Sequence, residues 1–335
     1  MNISIADRAA LLSLIERFAQ QEIIVMGDLV ADEFIHGEIA RVSREAPVLI
    51  LRQREKRTLP GGGANAANNL ADLGAKIHIA GIVGEDEPGS ALLRYFNEKD
   101  ISTRSIKRVK GFVTPAKSRV LGGLGHGHMQ QIVRVDREPP RKLDGDIRRE
   151  LCRNAVRWTP GSSGVLISDY GYGAAGPEEA RLLQQRRAAM PVVVDSRYEI
   201  LRYNHVTAGT PNETEMEAAH GERVDNNLQA LHRMAAKTLR RCSFHALLVT
   251  RGREGMALYE SGQKPRVLTI FGSDQVADVT GAGDTVIAAF TLSLAAGASF
   301  THAAMIANCA GGLVVMKSGT ATVTARELRE AIRNV

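Results

Sequence analysis

The sequence predicts an α/β fold: a mostly parallel sheet covered by helices on both faces, with a small β-layer projecting from it. Three observations predict this. Short β-branched runs recur at residues 22–26, 76–83, 165–168, 191–194, 245–249 and 255–259. Between several of them lie stretches with apolar residues three and four apart, such as 64–73 and 228–239, and strands alternating with helices give parallel pairing. Two longer segments, about 34–53 and 111–136, break that alternation. They are extended with polar interruptions and read as the projecting layer, a β-lid.

The chain has 335 residues, which fits one large domain, taken here as 1–335, and buries a sizeable core without difficulty. It shows no internal repeat, low-complexity tract or long linker. Its net charge of +6 arises from 43 basic and 37 acidic residues spread along the chain. Basic runs such as 104–110 therefore read as solvated faces and not as a nucleic-acid footprint, while a mildly positive field suits a phosphorylated substrate. Cys152, Cys242 and Cys309 are far apart, which argues against a disulfide framework or zinc site and for a reducing, cytoplasmic setting. The opening M-N-I-S-I-A-D-R-A-A lacks the basic start and apolar core of a signal peptide. Residues 286–316 carry no formal charge, but A-G-A-S at 296–299 interrupts them; two buried helices are expected there, not a membrane span.

The most informative stretch is T-G-A-G-D-T at 280–285. Gly281 and Gly283 let backbone N–H groups converge, Ala282 keeps the approach open, and a helix starting there adds partial positive charge, so the loop can hold an anion. Asp284 in the first turn can then take a proton from a hydroxyl. A tight turn with an aspartate cap has the same spelling, so context decides. In G-G-G-A-N at 61–65 three glycines let backbone approach a ligand, and Asn65 offers a donor and an acceptor to hydroxyl groups, or caps an ordinary loop. Asp28, in M-G-D, leaves an apolar run where open α/β sheets place ligand contacts, or is a turn aspartate. Asn212 and Glu215, in T-P-N-E-T-E at 210–215, can turn oxygens toward hydrated magnesium, or form a capping box.

Taken in order, M-G-D, G-G-G-A-N, N-E-T-E, L-L-V-T-R-G and D-V-T-G-A-G-D-T resemble the ribokinase (PfkB) family of carbohydrate kinases, over about residues 23–324. Within that family R-V-S-R-E-A-P-V, V-L-I-S-D-Y, V-T-G-A-G-D-T-V-I and K-S-G-T-A-T-V are most similar to the bacterial D-glycero-β-D-manno-heptose 7-phosphate kinases. The resemblance implies a ribokinase-like three-layer α/β/α fold and ATP-dependent phosphorylation of the anomeric (C1) hydroxyl, giving heptose 1,7-bisphosphate for ADP-heptose and lipopolysaccharide precursor synthesis. A kinase of another sugar, sugar phosphate or nucleoside is the alternative. Many relatives carry a fused nucleotidyltransferase; this chain is similar to the stand-alone kinase.

The resemblance further implies that Asp284 is the base and Gly281, Ala282 and Gly283 the anion hole. Asn212 and Glu215 would serve Mg²⁺ through water, with Thr250, Gly252 and Asn308 on the ATP side. Asp28, Gly62, Gly63 and Asn65 would contact the sugar, and Asp278 and Thr280 fall where many members bind a monovalent cation. Two departures stand out: Asp195-Ser196-Arg197 replaces a frequent Asp-Pro-Lys, and Arg44 stands where proline is common.

A 7-phosphate needs a positive partner. The lid offers Arg41, Arg44, Lys117, Arg119 and Arg134, of which Lys117 and Arg119 are favoured. An exposed lid edge also predicts pairing with a second copy. G-Y-G-A-A-G at 171–176, with Asp195 at a later strand end, has the outline of a dinucleotide fingerprint, but Glu178 and Glu179 would face the pyrophosphate there. No G-x-x-x-x-G-K-[ST] occurs, and His126 and His128 lack a third ligand.

Overall fold

In a computed structural model describing residues 4–123, 129–140, 143–187, 189–225, 227–272 and 277–334, the alternation resolves into two sheets. The strands are β1 (Glu22–Gly27), β2 (Leu29–Val42), β3 (Leu49–Gly62), β4 (Lys76–Gly84), β5 (Ile106–Val109), β6 (Ala116–Gly123), β7 (Gln130–Arg137), β8 (Gly164–Asp169), β9 (Val192–Ser196), β10 (Ala208–Gly209), β11 (Ala246–Thr250), β12 (Met256–Glu260) and β13 (Arg266–Leu268). The helices are α1 (Ile5–Glu16), α2 (Gly63–Asp72), α3 (Glu87–Glu98), α4 (Gly145–Trp158), α5 (Pro177–Arg186), α6 (Glu213–His220), α7 (Leu228–Cys242), α8 (Ala282–Ala295), α9 (Phe300–Val314) and α10 (Ala325–Arg333).

The large sheet has the order β13-β12-β11-β10-β9-β8-β1-β4-β5. Pairing is parallel from β5 through β11 and antiparallel across β11, β12 and β13. Because strand side chains alternate, β1 splits its apolar residues between two cores. Ile23 and Val25 join Leu70, Phe290 and Ile306 on one face, while Ile24 and Met26 join Leu151, Leu183 and Leu231 on the other. Buried on both sides, such strands read as continuous apolar runs. The result is three layers, α/β/α.

The smaller sheet has the order β3-β2-β6-β7. β2 pairs antiparallel with β3 from Leu29↔Gly62 to Val42↔Leu49, parallel with β6, and β6 antiparallel with β7. The lid strands thus reach further inward than the composition of 34–53 suggests. β2 starts one residue after Asp28, so the base of the lid and the end of β1 share one backbone stretch. The charge-free segment 286–316 is indeed divided, with Gly297 at φ +89° between α8 and α9. Among the described residues no helix is long and apolar enough to cross a membrane. His126 and His128 lie outside the described residues.

Candidate active site

Ligands of an open α/β sheet gather beyond the carboxyl ends of its strands. There β1 delivers Asp28, β8 delivers Tyr170, β9 delivers Asp195, β10 leads into Asn212 and β11 into Thr250. Asp284 comes from the first turn of α8, whose cap Gly281 is left-handed at φ +76°. A Cβ on Gly281 would stand 2.5 Å from Asn65 Nδ2, so only glycine permits the helix to start this close to α2.

Asp284 is 4% exposed. Asn65 Nδ2 donates to its Oδ2 at 2.9 Å and Tyr170 Oη donates to its Oδ1 at 2.9 Å. Burial pushes its pKa up to about 7; the two hydrogen bonds and the nearby Lys117 hold it down, and the Asp32 charge adds to the rise. A carboxylate that titrates near neutrality can accept a proton and release it again.

Two cavities flank this carboxylate. One, of about 400 Å³, is lined by Thr250, Gly252, Ala282, Gly283 and Asn308, together with apolar residues such as Ile270 and Val286. The residues expected on the ATP side therefore share one groove with the α8 tip. Asn308 Nδ2 donates to Thr269 O at 2.7 Å, and Arg251 pairs with Glu213 at 2.7 Å, tying the 250–252 loop to α6. A Cβ on Gly283 would meet nothing within 4 Å, which leaves room for a phosphate against the helix N-terminus. The Ala282 N–H donates to Val279 O at 3.2 Å. That contact engages one of the three amides expected in the cradle, and among the described residues the structure shows no such contact for the Gly281 and Gly283 amides.

The second cavity, of about 550 Å³, is lined by Lys117, Asp169, Tyr170, Asp195, Arg197, Asn212 and Glu215 among others. Its charges are divided. Lys117, its pKa lowered mainly by burial, and Arg197 form a basic side. Asp195 and Glu215 form an acidic one. Burial raises Asp195, and the Glu215 charge raises it further; burial likewise raises Glu215. Two carboxylates that resist ionising together fit a divalent cation, which would relieve both. Asn212 spends its Oδ1 on the Glu215 N–H at 2.8 Å, and Glu215 Oε2 accepts the Asn212 N–H at 2.9 Å. The pair is a capping box, and Asp195 lines the same cavity as Glu215.

Four residues expected at the sugar are engaged with other protein groups. Asp28 is 2% exposed and accepts the N–H groups of Tyr170, Tyr172 and Ala174 at 2.8, 3.0 and 2.9 Å. It organises the G-Y-G-A-A-G loop, the segment with the outline of a dinucleotide fingerprint. Asn65 is fully buried and serves Asp284. Gly62, at φ +53°, and Gly63 let α2 start against Asp28 O, with the Gly63 N–H donating to it at 3.0 Å; a Cβ on Gly62 would stand 3.0 Å from the Tyr170 ring. Arg119 is 8% exposed, pairs with Asp32 Oδ1 at 2.7 Å and stacks over Phe34; Thr320 donates to the other Asp32 oxygen. Arg119 is therefore spent inside the lid, and Arg197 takes its place beside Lys117. The carboxylate of Asp278 accepts the N–H groups of Thr280 and Gly319, bracing the loop before α8.

Tyr170, Asp195 and Arg197 escaped the sequence reading as site residues. Their signal was position: each follows or ends an apolar run that becomes a central strand.

Comparison with known proteins agrees with this geometry. The pfkB family carbohydrate kinase pattern matches residues 21–326. The "Bifunctional protein HldE" of Desulfatibacillum aliphaticivorans is 36% identical over 321 residues, covering 95% of this chain and 64% of that protein. The protein of the same name from Coxiella burnetii is 37% identical over 323 residues, covering 96% and 66%. The chain thus spans about two thirds of the length of these curated relatives. Among solved structures, ribokinase from Arabidopsis thaliana, complexed with ribose and ATP, superposes with a TM-score of 0.71 at 21% identity, covering 93% of this chain and 98% of that one. Phosphofructokinase-2 from Escherichia coli, in complex with substrates and products, gives 0.72 at 17%, covering 94% and 98%. These last two establish the ribokinase-like fold. The chain belongs to the pfkB family of carbohydrate kinases.

Proposed function

We propose that this kinase transfers the γ-phosphoryl group of ATP to the anomeric hydroxyl of D-glycero-β-D-manno-heptose 7-phosphate, giving the 1,7-bisphosphate. What supports the reading is that Gly283, next to Asp284, lines a groove suited to a nucleotide, while Tyr170, hydrogen-bonded to Asp284, lines a cleft whose basic side, Lys117 and Arg197, suits an acceptor that already bears a phosphate. The relatives named HldE support the heptose in particular.

In this reading Asp284 takes the proton of the acceptor hydroxyl. The acceptor oxygen bonds to the γ-phosphorus, the bond to the bridging oxygen breaks, and ADP leaves. The Gly281 and Gly283 amides stabilise charge on the transferring group. Mg²⁺ bound by Asp195 and Glu215 would neutralise nucleotide phosphates. The lid closes over the sugar and keeps water from accepting the phosphoryl group.

We also infer a homodimer through the lid. Val42, Val48, Leu49, Val133 and Val135 are all more than 40% exposed there, and among the described residues both lid edges, β3 and β7, are unpaired. A monomer in light scattering at working concentration would reject it.

A screen of ADP release over phosphorylated heptoses, hexoses, ribose and adenosine tests the substrate. Heptose 7-phosphate is expected to give the highest kcat/KM; preference for another acceptor would move the assignment to that sugar.

A further inference from the structure

Tyr170 stands where an acceptor hydroxyl has to stand. Its Oη donates to Asp284 Oδ1 at 2.9 Å, while the other oxygen of that carboxylate is held by Asn65. Tyr170 lines the cleft shared by Lys117 and Arg197; Asp284 does not. The Tyr170 phenol thus joins the base to the wall of that cleft, with its hydroxyl on the carboxylate. The backbone beneath that ring is fixed, because the N–H groups of Tyr170 and Tyr172 both donate to Asp28. The ring itself rests under a lid residue, with Lys117 Nζ 4.9 Å from its centroid.

We propose that the Tyr170 hydroxyl is a stand-in acceptor, occupying Asp284 and keeping water from it until the hydroxyl of the true acceptor displaces it. The two donors share their chemistry: each is an O–H presented to one carboxylate oxygen. A water molecule is a poorer competitor, since it brings no further contacts to offset moving the ring. A sugar phosphate brings its anion to Lys117 and Arg197, and drawing Lys117 toward that anion removes the cation resting on the Tyr170 face. Recognition of the acceptor at the lid and unmasking of the base are then one event. Without the Tyr170 hydroxyl there, water would lose a proton to Asp284, its oxygen would bond to the γ-phosphorus as the bond to the bridging oxygen breaks, and ADP and inorganic phosphate would leave with no sugar phosphorylated.

This inference rests on the kinase reading, and the test separates the two. Tyr170→Phe in the full chain removes one oxygen and keeps the ring. With ATP and Mg²⁺ but no acceptor, ADP release by the variant is expected to exceed that of the wild type on the order of tenfold, the factor set by one hydrogen bond to a charged group. Its KM for the acceptor chosen by the screen is expected to fall. Acceptor-free ADP release that stays at the wild-type level, with a lower kcat and an unchanged KM, would make Tyr170 a positioning residue for Asp284 and overturn the proposal. Loss of the folded state in a thermal melt would make the hydroxyl a structural anchor and overturn it as well. If the wild type turns over no acceptor at all, the kinase reading fails and this inference with it.

Discussion

Asn65 Nδ2 lies 2.9 Å from Asp284 Oδ2 and 3.4 Å from the Gly281 carbonyl oxygen, so one buried amide joins the base to the cap of its own helix. The amide cannot turn freely, because Asn69 Nδ2 donates to Asn65 Oδ1 at 3.1 Å and Thr285 Oγ1 donates to Asn69 Oδ1 at 2.9 Å. The first turns of α2 and α8 are thereby locked together, and the asparagines of α2 act as the mount of the Asp284 carboxylate.

The first prediction concerns pH. Burial raises the Asp284 carboxyl to about 7 and the Asn65 hydrogen bond opposes that rise. The base works only when deprotonated, so kcat/KM is expected to climb with pH through about 7. Asn65→Ala removes the opposing bond, and its pH–rate profile is expected to show the acidic limb displaced to higher pH. An unmoved limb would show that Asn65 does not bear on the base.

The same residue has a stability signature. A carboxyl whose pKa is 3.8 when unfolded and about 7 when folded binds more protons in the native state between those values. Its ionisation therefore costs native stability as pH rises across that window, and the cost is complete above pH 7. Asp284→Asn is expected to raise the urea midpoint relative to wild type at pH 8 and to lose that advantage near pH 4. Equal midpoints at pH 8 would contradict the burial account of Asp284.

Gly283 and Gly281 differ in kind although their sequence roles look alike. Gly283 has open space where a Cβ would be and does not lie in the left-handed region. Gly283→Ala is expected to leave the thermal midpoint unchanged or raise it slightly, alanine being up to about 1 kcal/mol better in a helix. The added methyl projects into the groove, so the KM for ATP is expected to rise. Unaltered ATP kinetics would remove Gly283 from the nucleotide site.

Asp28 is a scaffold residue by its contacts, and its variants should report stability first. Asp28→Asn presents N–H groups to backbone donors and is expected to cost on the order of 3 kcal/mol, the cost of leaving buried donors unsatisfied. Hydrogen exchange at Tyr170, Tyr172 and Ala174 should quicken with it. A variant of native stability with slow exchange there would restore a direct ligand role for Asp28.

Much of this was legible in the sequence because it is local. The central strands show as apolar runs, the division of 286–316 shows in A-G-A-S, and the α8 tip is six consecutive residues whose backbone and side chain act together. What a carboxylate or amide faces is not local. Asp28 meets a loop at least 142 residues away, Asn65 meets Asp284 across 219 and Arg119 meets Asp32 across 87. Residue type alone made all three look like ligand contacts, whereas burial made them partners of other protein groups. The lid strands ran longer than expected because β2 follows β1 after the single residue Asp28, so the turn that M-G-D allowed does not separate them.

The central claim is that Asp284 is the base of phosphoryl transfer, and turnover of Asp284→Asn tests it most directly. With ATP, Mg²⁺ and heptose 7-phosphate, a folded variant is expected to bind both substrates and to lose roughly 10²- to 10⁴-fold in kcat. A kcat within about twofold of wild type, less than general-base loss allows, would contradict the assignment.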